Sequence, residues 1–244
     1  MSDPRPVAVA RRLSGVRRIL AFCSAKGGVG KTFCSVTSSL ALAGSGRRAG
    51  LLDLDFQGAS THLFLGAALS LPREKEGILP LQVAPNLSLL SAALFTGERA
   101  LALRGPEVSD AMLELLCVTQ WGELDALVVD MPPGIGDEIL DIIRLIPRLE
   151  ALVVSTPSIV SVAVAQRLLA LLKESGTRIS GVVANMCRGD AGRVREMARQ
   201  YGIRILGEVP FNEGVEGAVG DPSALLAGSA GSAIKAILAG LGML

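Results

Sequence analysis

Histidine is almost missing from this chain: His62 is the only one in 244 residues. A lone imidazole beside an acidic strand end reads as a packing or surface residue, so histidine-based acid–base chemistry is not the expectation. Cysteine is sparse too. Cys23, Cys34, Cys117 and Cys187 are scattered and no C-x-x-C occurs, which argues against a disulfide framework and for free thiols in a reducing compartment. No secretory signal is visible. Long apolar runs are absent as well, since the uncharged stretch 151–165 is broken by Ser, Thr and Pro and falls short of a membrane span. A cytoplasmic protein is expected. Charge of one sign is missing: 24 Lys+Arg face 23 Asp+Glu, for a net +1. That balance gives little support to coating nucleic acid.

What is present is a core. Half the residues are hydrophobic, enough to fill one large α/β unit. Short apolar runs at 19–24, 49–54, 87–91, 126–130, 151–155, 181–185 and 205–209 read as strands. Helix-period stretches fall at 32–43, 109–118, 138–146, 161–174, 193–201 and 230–239. That alternation predicts an α/β fold, a mostly parallel twisted sheet with helices on both faces. Residues 68–86 read as a Pro-containing connection. Residues 1–17, with Arg5, Arg11, Arg12, Arg17 and two prolines, read as a flexible basic arm, leaving 18–244 as a single domain. In such sheets ligands gather at the carboxyl ends of the strands, and the chemistry-bearing motifs lie there.

Two of the five lysines sit in one loop, Lys26-Gly27-Gly28-Val29-Gly30-Lys31-Thr32, between the first strand and the first helix after it. Glycine-rich turns at that junction let backbone N–H groups cradle a polyphosphate. Lys31 is suited to the β/γ-phosphates and the Thr32 hydroxyl to Mg²⁺. The usual G-x-x-x-x-G-K-[ST] pattern fails, because its first glycine falls at Ala25. The loop carries an extra lysine instead, Lys26, which needs an anion of its own.

The second strand runs into Asp53-Leu54-Asp55-Phe56-Gln57-Gly58. Alternation predicts Asp53 and Asp55 on one side of the strand, Asp53 as an outer-shell Mg²⁺ residue and Asp55 holding the attacking water. Phosphoryl transfer depends on such positioning and on charge neutralisation. The strand at 126–130 ends in Asp130-Met131-Pro132-Pro133-Gly134. An acid after an apolar strand is the Walker B arrangement, with Asp130 ordering Mg²⁺ through water. The rigid Pro-Pro and Gly134 suit a turn that moves after hydrolysis. Asn185 and Pro210, at the ends of two later strands, are expected to frame a base, the Asn amide meeting the adenine edge. No N-K-x-D follows, which favours ATP over GTP. Trp121 is expected to pack in a turn.

With these residues in place, the chain resembles the MinD/ParA/Mrp class of deviant-Walker P-loop ATPases. Its closest likeness within that class is the Mrp (ApbC-like) group associated with iron–sulfur cluster carriage. The likeness runs from about Arg18 to Pro222. It is carried by Lys26–Thr32, Arg104-Gly105-Pro106, Trp121-Gly122-Glu123-Leu124-Asp125, the string from Val129 to Glu138, Gly181–Met186, and Leu206-Gly207-Glu208-Val209-Pro210. The resemblance implies a Mg²⁺-dependent ATPase working as a nucleotide-sandwich homodimer, in which Lys26 crosses to the partner's ATP. It also implies Asp55 and Asp130 as switch aspartates, and an iron–sulfur client or scaffold protein as a further partner. The group commonly carries a C-x-x-C pair after the Asn-Met string. This chain has Cys187 alone, as a candidate iron–sulfur ligand. The alternative implied by the class is a ParA/MinD-like positioning switch, binding DNA or membrane under ATP control. Neither surface is favoured, because the net charge is near zero and the segment 233–244 carries only Lys235 where a membrane-surface helix wants a basic face.

Overall fold

Apolar runs flanked by helices dictate a sheet buried on both faces, and the computed structural model shows one; it describes residues 3–96 and 106–244. The strands are β1 (Val16–Cys23), β2 (Ala49–Asp53), the short pair β3 (Arg73–Glu74) and β4 (Ile78–Leu79), β5 (Leu81–Ala84), β6 (Leu87–Ser91), β7 (Leu124–Asp130), β8 (Leu149–Ser155), β9 (Arg178–Cys187) and β10 (Ile205–Pro210). The helices are α1 (Arg5–Arg12), α2 (Lys31–Gly44), α3 (Thr61–Leu65), α4 (Ala93–Thr96), α5 (Pro106–Val118) and α6 (Asp137–Leu145). They continue with α7 (Ile159–Glu174), α8 (Gly192–Gln200), α9 (Gly214–Gly217), α10 (Pro222–Ala227) and α11 (Ser229–Gly240).

Eight strands form one sheet in the order β10-β9-β8-β1-β7-β2-β6-β5. Every neighbouring pair is parallel except the edge strand β5, which runs antiparallel to β6. Alternation along β1 sends Ile19, Ala21 and Cys23 into one core layer and Leu20 and Phe22 into the other. The first layer is closed by α1, α5, α6, α7 and α8; the second by α2 with α10 and α11. Because both faces are covered, the central strands need apolar residues at nearly every position, which made them easy to read.

Two expectations fail. Over its described residues, 3–17, the stretch expected as a loose arm is packed: α1 lies on α5, and Val9 and Leu13 are fully buried. An i, i+4 apolar pair gives the helix one face to bury, and Pro6 in the first turn lacks only a donor that would have gone unused. Arg12 fastens the helix by donating from Nε to the Cys117 carbonyl at 3.0 Å. The boundary expected at residue 18 therefore falls inside β1. The connection 68–86 also contains β3, β4 and β5, short pieces whose existence depends on pairing partners and not on local period. Arg104 and Gly105 of the Arg-Gly-Pro string lie outside the described residues.

Candidate nucleotide site

The strand register brings the motifs to one edge. Phe22 of β1 and Asp53 of β2 are both Cα partners of Asp130 at the end of β7. The loop 24–30 leaves β1 there and enters α2 at Lys31. Gly28 (φ +76°) and Gly30 (φ +77°) take left-handed conformations that side chains resist. A Cβ placed on Gly27 or Gly28 would meet nothing within 4 Å, so the loop backbone is open on that side. The N-terminus of α2 has Gly30 at its cap and no side-chain acceptor, leaving its first amides for an anion.

Beneath the loop, three of the expected residues meet. Lys31 Nζ donates to Asp130 Oδ1 at 2.7 Å, and Thr32 Oγ1 donates to Asp130 Oδ2 at 2.8 Å. Lys31 and Asp130 are both buried, so each depends on the other for compensation. The segment after β7 is tied to the root of the loop: the Met131 amide donates to the Phe22 carbonyl at 3.2 Å and the Gly134 amide to the Ser24 carbonyl at 2.9 Å. Open amides, a buried ammonium, a hydroxyl and an acid in contact are the donor set that a Mg²⁺-bound polyphosphate requires. On this geometry the residues fit that ligand.

The acids after β2 behave differently from the expectation. Asp53 and Asp55 do not share an open strand face, because the Phe56 amide turns back to the Leu54 carbonyl at 3.1 Å and the chain leaves the sheet. Asp53 is fully buried and its carboxylate serves its own chain. Oδ1 accepts from the Asp55 amide (3.1 Å), while Oδ2 accepts from the Thr61 hydroxyl (2.8 Å), the Thr61 amide (3.3 Å) and the Ser91 hydroxyl (3.3 Å). These partners engage both oxygens, so the Asp53 carboxylate is held by its own chain. Burial, and next the charge of Asp130, push the Asp53 carboxyl up to about 6 against the pull of its hydrogen bonds. Asp55 Oδ1 accepts from the Gln57 and Gly58 amides at 3.2 and 2.9 Å. Its side chain lines a cavity of about 220 Å³ with Pro132, Pro133 and Glu138, without a hydrogen bond to Lys31, Thr32 or Asp130.

Asn185, at the end of β9, stands against the phosphate loop. It is buried, and its Nδ2 donates to the Val29 carbonyl at 2.8 Å, so it braces the phosphate loop. Met186, the next residue, adopts φ +57°, an uncommon left-handed conformation for a long side chain. Pro210 is in register with Cys187, and the Phe211 amide donates to the Cys187 carbonyl at 2.9 Å. The Arg188 guanidinium stacks 3.5 Å from the centre of the Phe211 ring. The sequence reading missed that pair, and it also missed Thr61, whose position after Ser60 at a helix start was the available signal.

Lys26 is half-buried and forms no ion pair among the described residues. Cys187 is half-buried, donates to the Ala184 carbonyl at 3.4 Å, and its thiol is pushed up by burial and then by Glu208. Cys23 and Cys34 are buried, and Cys117 lies beside α1, donating to the Arg5 carbonyl. Among the described residues no group of three or more His, Cys, Asp or Glu is placed to hold a metal ion. No described helix is long and apolar enough to cross a membrane.

Comparison with known proteins agrees with this geometry. The model of the family described as ParA, NUBPL iron-transfer P-loop NTPase, matches residues 15–241. An iron-sulfur cluster carrier protein of Saccharolobus solfataricus is 34% identical over 223 residues, covering 85% of this chain and 75% of its own length. A protein of the same description from Escherichia coli K12 is 34% identical over 217 residues, 82% of this chain but 58% of its own. The chain thus spans little more than half of that relative. Among solved structures, a nucleotide-binding protein from Archaeoglobus fulgidus in complex with ADP superposes with a TM-score of 0.73 at 27% identity, covering 90% of this chain and 92% of that one.

Proposed function

Because this chain belongs to the NUBPL iron-transfer P-loop NTPase family of ParA type, we propose that it binds and hydrolyses ATP with Mg²⁺ to drive the handling of iron–sulfur clusters. One observation carries the reading: Lys31 and Thr32 converge on Asp130 directly beneath an open glycine loop. In this reading the amides of Gly27–Thr32 hold the polyphosphate and Lys31 exchanges its contact with Asp130 for the β/γ-phosphates. Thr32 and Asp130 hold Mg²⁺, the acid through water. When bound, the ion neutralises phosphate charge. Asp55 orients the attacking water, a role that needs its turn to swing toward the loop. Pro210 and its neighbours flank the base.

Lys26 is the residue we assign to a second copy. Among the described residues its charge has no ion-pair partner, and the same edge exposes apolar side chains: Ile159 is 68% and Val160 64% exposed, with Ile135 at 41%. An unpaired lysine beside an apolar rim suits a homodimer closing over two nucleotides. The cluster is cargo in this scheme. Of the thiols near the nucleotide edge, Cys23 and Cys34 are fully buried and Cys187 is only half-buried; two copies supply two Cys187 thiolates, and the remaining ligands of a cluster come from a client or scaffold protein.

Fluorescent-nucleotide titration, steady-state hydrolysis and light scattering with ATP and Mg²⁺ test the proposal. Lys31→Ala should abolish binding, and Lys26→Ala should keep nucleotide yet stay monomeric, with turnover down on the order of 10²-fold or more. Full turnover in Lys31→Ala would refute the site. Anaerobic reconstitution with iron and sulfide counting tests the cargo; a protein that takes up no iron, alone or with a client, sinks that half.

A further inference from the structure

The loop that carries Asp55 is closed at both ends by one buried carboxylate. Asp53 sits at the last position of β2, and its Oδ1 holds the Asp55 amide at 3.1 Å, where the loop begins. Its Oδ2 holds the Thr61 hydroxyl at 2.8 Å and the Thr61 amide at 3.3 Å, where the loop ends and α3 starts. Ser91, at the end of β6, donates to the same oxygen at 3.3 Å, so the neighbouring strand fixes where that oxygen points. Thr61 is fully buried. The far end of α3 is fixed as well: the Gly220 amide donates to the Phe64 carbonyl at 3.2 Å, and a Cβ on Gly66 would fall 2.4 Å from the Gly220 carbonyl oxygen. The loop 54–60 therefore hangs between two anchors that share one side chain, and among the described residues the hydrogen bonds to the Asp55 carboxylate come from its own turn, from the Gln57 and Gly58 amides.

We propose that Asp53, acting through Thr61, is a positioning residue that sets where the Asp55 carboxylate stands, and that it is not a metal residue. This rests on the reading of Asp55 as the residue that orients water. The physical reason is distance sensitivity. A displacement of about 1 Å in a group that positions a nucleophile costs on the order of 10²-fold in rate, and a loop whose two ends lose a common anchor has many such displacements open to it. Thr61 is the informative position because valine keeps the shape of threonine while removing the 2.8 Å hydrogen bond.

The test compares the wild-type chain with Thr61→Val, Thr61→Ser and Asp55→Asn by ATP turnover, nucleotide affinity and hydrogen exchange of the nucleotide-free protein. Thr61→Val should lower kcat on the order of 10- to 100-fold with nucleotide affinity unchanged. Amides 54–61 should exchange faster while the β1 and β7 amides keep their protection. Thr61→Ser restores the hydroxyl and should recover both readouts. Unchanged exchange at 54–61 in Thr61→Val overturns the clamp whatever the turnover shows. A loss of affinity in step with kcat also overturns it, because that marks a general structural role. If Asp55→Asn hydrolyses at the wild-type rate, the reading of Asp55 falls, and the exchange data alone decide whether the clamp exists.

Discussion

Gly30→Ala is the sharpest single perturbation of the phosphate loop, because the structure sets two separate costs for it. The first is conformational: φ is +77°, and a side chain in the left-handed region costs about 1–2 kcal/mol. The second is steric. The new Cβ would stand 2.3 Å from Asn185 Nδ2 and 3.1 Å from Met186 Cε. The amide must move, yet it is buried and bound at 2.8 Å to the Val29 carbonyl. Giving up that hydrogen bond and stranding a buried donor costs about 1–3 kcal/mol. The total is roughly 3 kcal/mol, a fall of about 6–12 °C in Tm for a chain of this size, read by thermal unfolding. A double-mutant cycle separates the parts. Asn185→Ala alone should cost about 1 kcal/mol, and adding it to Gly30→Ala should remove the clash and leave the backbone cost plus the lost hydrogen bond, about 2–3 kcal/mol in all, a coupling of about 1–2 kcal/mol. Strictly additive losses would refute the contact between Asn185 and the loop.

Two further outcomes follow from packing and charge. Leu13→Ala should lower stability by roughly 2–5 kcal/mol in chemical denaturation, whereas Val7→Ala, at a residue 73% exposed, should change it by less than about 0.5 kcal/mol; equal and negligible effects would restore the loose arm. Glu150 is pushed up by burial, but the hydrogen bonds from Arg18 and Ser180 outweigh that and hold its carboxyl below the ordinary value of 4.5. Its stabilising contribution is therefore complete above pH 4.5 and is lost as pH falls through the folded value. Glu150→Gln should cost about 1.5–3 kcal/mol at neutral pH, and the gap to wild type should close in acid; a gap that widens in acid contradicts the ion pair.

The parallel strands and the large helices were legible because each is set by the period of its own residues. The strand Leu87–Ser91 shows this best, with an apolar run that begins and ends where the sheet does. The glycine loop was legible for a similar reason: its residues are contiguous, and their backbone needs can be named without knowing their neighbours. The short strand β5 and the packed face of α1 were not. A four-residue strand has too few residues to show a period, and the burial of Val9 and Leu13 depends on α5, far along the chain. Asp53 and Asn185 were recognised as polar strand ends, but their partners were not, since a carboxylate or an amide at a strand end serves a metal, a base or its own backbone with equal chemical ease.

The sequence by itself determined a P-loop α/β sheet, the loop Lys26–Thr32 and the acid Asp130, because strand period, glycine spacing and an acid after an apolar run are local properties of the chain. Only the tertiary structure decided that Asn185 braces a carbonyl 156 residues away, that Asp53 is spent on Thr61 and Asp55, and that α1 belongs to the core. Those outcomes depend on which groups the fold brings within about 3 Å, the reach of a hydrogen bond.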